Sequence, residues 1–177
     1  HVGLQIENGM FKYPDLPAAV KNINIDLAVD NEDGVDDHTV IDLKKMHIEM
    51  ADNPVDMNLL VSTPVSDPNM KGELKGRIEL DKVKNFIPLE NTTLTGTIES
   101  DIEFAGKMSQ IEQEKYEDFH AKGNFKLANL KYDDQETNVT IDEANIEVSP
   151  AYLSLLTFRG KTGQSDFSLQ GKIENFL

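Results

Sequence analysis

The side chains that could do chemistry are sparse and badly spaced for it. The four histidines, His1, His38, His47 and His120, include no His-x-His and no His-Glu-x-x-His, the spacings that put two imidazoles on one metal ion. No histidine metal site is expected. Between Asp30 and Asp37 lie five carboxylates, which invites a calcium loop, yet Gly34 follows Asp30 by four and the terminal Glu of an EF-hand is missing. This run reads as a solvated acidic loop. Ser100 and Ser154 sit in no Gly-x-Ser-x-Gly elbow, no glycine-rich phosphate loop precedes a helix, and among 32 acids nothing singles out a glycosidase pair. The reading is therefore not an enzyme, with no catalytic residue, no cofactor and no metal.

Composition narrows the partners. The 177 residues carry 17 Lys and Arg against 32 Asp and Glu, a net charge of -15, with no Cys and no Trp. A polyanion would be repelled, so nucleic acid is excluded, as is an anionic lipid surface gripped through a basic patch. Without Cys there is no disulfide framework, thiolate metal site or thiol nucleophile. Carbohydrate platforms built on Trp have no residue to use.

The elements that must carry any function are strands. In 97–104, Ile98, Ser100, Ile102 and Phe104 share one parity while Thr97, Glu99, Asp101 and Glu103 share the other, as one dry and one wet face require. A slip of one residue would turn three carboxylates inward. Similar alternation marks 22–29 and 55–61, and further strands are read over 4–13, 39–50, 72–83, 119–132, 138–148, 152–159 and 164–176. Turn chemistry separates them at Tyr13-Pro14-Asp15-Leu16-Pro17, Asn31-Glu32-Asp33-Gly34, Asp52-Asn53-Pro54, Ser66-Asp67-Pro68-Asn69 and Asp133-Asp134.

Parity flips within two strands. Ile41 and Leu43 are odd but Met46, Ile48 and Met50 even, and Val139 and Ile141 are odd but Ala144, Ile146 and Val148 even. Each flip implies a bulge, and bulges twist and bend a sheet. The expected fold is all-β: about ten antiparallel strands in a long, strongly curled sheet, forming a groove or a partly open barrel or sandwich. One short helix near 108–117 interrupts it, with Ser109 and Glu112 spaced as a capping box.

Glycine recurs ahead of apolar residues. Gly76-Arg77-Ile78-Glu79-Leu80 and Gly123-Asn124-Phe125-Lys126-Leu127 share one form, Gly96-Thr97-Ile98 begins it, and Gly171-Lys172-Ile173 repeats it imperfectly. Glycine inside a strand permits a bend or a close backbone approach. The spacing is too irregular for a solenoid.

The order of Asn53-Pro54-Val55-Asp56-Met57-Asn58-Leu59, Thr63-Pro64-Val65-Ser66-Asp67-Pro68, Gly76-Arg77-Ile78-Glu79-Leu80, Leu94-Thr95-Gly96-Thr97-Ile98 and Met108-Ser109-Gln110-Ile111-Glu112 resembles the C-terminal region of AsmA-like proteins of the Bacteroidetes type. The likeness runs from Phe11-Lys12-Tyr13-Pro14 to Phe176-Leu177. It implies a single β-rich module over 1–177, part of a larger periplasmic protein tethered to the inner membrane by an anchor outside this chain. It implies, too, a role in phospholipid transport and outer-membrane assembly. The lining of an apolar groove for acyl chains then falls to Ile78, Leu80, Ile98, Ile102, Phe104, Phe125 and Leu127. The other reading of the same rows is a closed sandwich core in a structural or adhesive module.

Overall fold

A computed structural model describes residues 1–14, 18–50, 53–83, 85, 92–115, 117–134, 137–149 and 152–174, with Ile173 and Glu174 described for their backbone alone. Asp15 to Pro17, Asp52, Tyr116 and the closing Asn175-Phe176-Leu177 fall outside the described residues.

Ten strands follow one another in space as they do in sequence. They are β1 Val2–Phe11, β2 Val20–Asp30, β3 Val40–Met50, β4 Asn53–Ser62, β5 Asn69–Glu79, β6 Thr93–Lys107, β7 His120–Asp133, β8 Asn138–Ser149, β9 Tyr152–Thr162 and β10 Ser165–Glu174. All belong to a single antiparallel sheet in the order β1 to β10. The alternation read in the sequence is thus a meander, the simplest topology that hairpin turns can build. Among the described residues β1 and β10 do not pair with each other, so the sheet is not a closed barrel, and strands make substantial contact with their sequence neighbours alone, so it is not a sandwich.

The bulges fall where parity flips. Leu43 faces Leu59 and Met46 faces Met57, four residues against three, so β3 carries one extra residue there. Ile141 faces Gly160 and Glu143 faces Arg159, which puts a second in β8. The strong curl expected from these flips does not follow. Bulges gather in the outer pairings and between β6 and β7, while β4 with β5, β5 with β6 and β7 with β8 keep register throughout. Those unbroken pairings keep the sheet open, and it does not curl strongly.

Two helical turns depart from the sequence reading. Residues 80–83 leave the strand expected over 72–83 and form α1, Leu80–Val83, against β6. The helix α2 spans Met108–Glu112, shorter than 108–117. Its capping differs as well: Gln110 Oε1 accepts the Lys107 N–H at 2.7 Å, while Ser109, inside the helix, donates its N–H and hydroxyl to Asp67 at 2.9 and 2.8 Å.

The recurring glycines do not share one purpose. Gly96 (φ 110) lies at the register shift between Thr95 and Thr97, a bend that needs a residue without Cβ. A Cβ at Gly96 would stand 2.6 Å from the Leu130 Cα, and one at Gly123 (φ 138) 1.9 Å from the Asp101 carbonyl oxygen, so both also allow close approach of the neighbouring strand. Around Gly171 there is open space.

Candidate functional site: the two faces of the sheet

Residues directly opposed across antiparallel strands project from the same face. One row therefore runs Leu4, Leu27, Leu43, Leu59, Gly72, Phe104, Ala121 across seven strands. Beside it runs Ile6, Ile25, Met46, Met57, Leu74, Ile102, Gly123, Val148, Leu153 across nine. A third joins Ile78, Ile98, Leu127, Ala144, Phe158 and Leu169. Every member is apolar or glycine. Two phenylalanine rings cover glycines on this face, Phe104 over Gly72 and Phe167 over Gly160. Phe158 and Phe167 stack at 5.1 Å between centroids.

The sequence-derived lining residues mostly meet here. Ile98 and Leu127 are directly paired, Ile78 faces Ile98, and Ile102, Phe104 and Phe125 stand on the adjoining rows. Leu80 stands outside the strand register, because it opens α1, where it is buried at 7% exposure. What parity reading within single strands missed is the width of the face. Leu4, Ile6, Ile25, Met46, Met57 and Leu74 extend it to the first edge, and only the pairing register places them there.

No second layer covers these rows among the described residues. The buried apolar residues are Ala28, Val55, Leu80 and Ala144, and no large side chain is fully buried. A sandwich of ten strands would bury its inward leucines and isoleucines nearly completely. Here Leu4 is 47% and Leu169 54% exposed, and the rows between are half-buried.

The other face is polar throughout its centre. Asn24, His47, Asp56, Lys75, Asp101, Asn124, Glu147 and Ser154 form one row, and Arg77, Glu99, Lys126, Asn145 and Thr157 another. Opposite charges meet across strands in Lys75–Asp101 at 3.0 Å, Arg77–Glu99 at 2.9 Å and Arg159–Glu143 at 2.6 Å. His47 Nδ1 lies 2.7 Å from Asp56, a wet-face position as its parity implied. A shallow depression of 420 Å³ on this face is lined by Arg77, Glu99, Lys126 and Glu143 among others. Its two carboxylates are each engaged in an ion pair, Glu99 with Arg77 and Glu143 with Arg159.

At one end of the sheet, carboxylates tie successive loops together. Asp37, in the loop from β2 to β3, accepts the Ser66 hydroxyl at 2.6 Å and the N–H groups of Ser66 and Val65 at 2.8 and 3.1 Å. Asp67 of the same β4–β5 turn reaches on to Ser109 of α2, and the Met108 N–H bonds the Pro68 carbonyl at 2.9 Å. The Ser66 hydroxyl holds the Asp37 carboxyl below its ordinary value, and the Ser109 N–H does the same for Asp67. The acidic run 30–37 is thus partly structural: Asp33 pairs with His38 at 2.7 Å, lowering its own carboxyl and raising the imidazole. Among the described residues no group of three His, Cys, Asp or Glu could hold a metal ion. No described helix is long and apolar enough to cross a membrane.

Comparison with known proteins found no matching family model, no matching curated protein and no matching solved structure.

Proposed function

We propose that this chain is a non-catalytic module of a cell-envelope protein of the AsmA-like type, residing in the periplasm and supplying an apolar surface along which phospholipid acyl chains move between membranes. The observation that carries this reading is the row Ile6 to Leu153, apolar over nine strands and without a covering layer among the described residues. Soluble domains rarely leave so wide a contiguous apolar surface without an occupant. Flexible acyl chains suit it, since an apolar lining holds them without specific polar partners. In a longer sheet of the same kind, twist and bulges would shape such a face into a trough. The net charge of -15 keeps the opposite face wet.

The test is lipid capture. Purified protein should carry phospholipid detectable by mass spectrometry after organic extraction, and should bind a fluorescent fatty acid that Ile102→Lys and Phe104→Glu abolish. Protein free of lipid that ignores the probe in both forms would refute the reading.

A further inference from the structure

Three loops at one end of the sheet hold aliphatic side chains out to water. Val35 of the β2–β3 loop is 47% exposed, Val65 of the β4–β5 turn 69%, and Ile111 of α2, between β6 and β7, 38%. Lone exposed aliphatics are ordinary on a protein surface. These are set apart by what fixes them. The Val35 N–H donates to Asp33 at 3.1 Å, and the Val35 carbonyl accepts the Asn31 amide and the His38 N–H, both at 2.9 Å. The Val65 N–H donates to Asp37, two residues past Val35. Asp67, two residues past Val65, accepts the N–H and hydroxyl of Ser109, two residues before Ile111. Thr63 opens the turn at φ 49, a costly conformation for a β-branched residue, and its hydroxyl closes the turn on the Asp67 carbonyl at 2.7 Å. The three aliphatic side chains therefore stand on one bonded frame. Beside them lie Glu32, Asp36, Glu112, Glu114, Glu117 and Asp118, all exposed and, among the described residues, in no ion pair. Lys107 is engaged with Asp67 at 3.6 Å, which leaves Lys115 as the nearby lysine against these acids.

We propose that this end of the sheet docks a protein partner whose contact surface is an apolar patch bordered by Lys and Arg. Loops already held by hydrogen bonds lose little freedom on binding, so aliphatic side chains carried on them yield affinity at a smaller entropic cost. The surrounding carboxylates repel nucleic acid and anionic lipid. They select a basic rim on the partner and steer its approach, an attraction that salt weakens. The inference is independent of lipid binding, because Val35, Val65 and Ile111 stand on loops and outside the apolar rows of the sheet.

The probe is a fluorescein-labelled synthetic amphipathic helix of leucine and lysine, with a leucine–glutamate helix of the same pattern as control. Anisotropy should show the unmodified protein binding the first and ignoring the second, more weakly as salt rises. On titration, amide NMR shifts should gather in 31–38, 63–67 and 107–112. Val35→Ser combined with Val65→Ser and Ile111→Ser should weaken binding by about tenfold or more, while circular dichroism and fatty-acid binding stay unchanged. Absence of binding would overturn the proposal, as would equal binding by the triple variant or shifts gathered on the apolar rows. Flotation of the unmodified protein with phosphatidylcholine vesicles, lost in the triple variant, would overturn it too, since the occupant would then be a membrane.

Discussion

The Asn24 side chain holds the backbone of Asn8: its Oδ1 accepts the Asn8 N–H at 3.0 Å, and its amide donates to the Asn22 carbonyl at 2.7 Å. Asn8 and Asn22 have φ of 50° and 49°, the left-handed conformation that asparagine tolerates better than most residues, and each lies at a register shift between β1 and β2. One side chain thus fixes two adjacent bulges. Asn24→Ala should lower stability by about 1 kcal/mol, the scale of one or two net hydrogen bonds. Asn8→Gly should be close to neutral, whereas Asn8→Val should destabilise. Urea denaturation of the three variants checks the order.

Glycine substitutions should divide sharply. Gly123→Ala pushes a Cβ to 1.9 Å from the Asp101 carbonyl oxygen at φ 138 and should cost upwards of about 3 kcal/mol, in the range of severe strain. Gly171→Ala meets open space and should change stability by less than about 1 kcal/mol, in the stabilising direction if the unfolded chain loses freedom. Thermal midpoints of the pair separate the two outcomes.

The loop ties set a pH dependence with a known sign. The carboxyls of Asp37 and Asp67 lie below the ordinary value of 3.8 in the folded protein, so their contribution is present above that value and lost as pH falls through the lower folded one. His38 is raised above 6.5, so its contribution is present below 6.5 and lost as pH rises through the higher folded value. Asp37→Asn with Asp67→Asn should flatten the acid limb of a urea-midpoint profile, and His38→Gln should flatten the limb near neutrality. A profile unchanged by both would remove these groups from the account.

The charged face should matter less than the dry one. Arg77 and Glu99 are half exposed, and pairs of this kind contribute about 0–1 kcal/mol. Arg77→Ala should therefore shift stability by less than about 1 kcal/mol, and the shift should shrink in high salt. Ile98→Ala, in the middle of an apolar row, should cost about 1–2 kcal/mol independent of salt, consistent with partial burial of a large aliphatic chain.

The strand number, both parity flips and the shared apolar face of Ile98, Ile102 and Phe104 were legible because period two is strong in this sequence: these residues against Glu99, Asp101 and Glu103 admit few other readings. Leu80 is misread as strand although the alternation breaks just after it: Lys82 falls on the apolar parity, and Leu80 and Val83 stand three apart, a helical spacing. The extent of curl was illegible for a different reason. A parity flip locates a bulge but not its partner, and bend depends on how bulges on neighbouring strands align. The opposed bulges around Asn129 and Asp142 leave β7 and β8 in register, so neither shifts that pairing. The Asp37–Ser66 and Asp67–Ser109 ties join residues 29 and 42 positions apart, beyond any local pattern.

Among the described residues the strands lean chiefly on their sequence neighbours, and a sheet of that kind behaves as a one-dimensional chain of coupled hairpins. With no second layer locking distant strands together among the described residues, opening can begin at either margin and advance one strand at a time. Amide hydrogen exchange should therefore be fastest in β1 and β10 and slowest in β5, β6 and β7, a gradient of protection running inward from both sides, where a sandwich would open in one cooperative step.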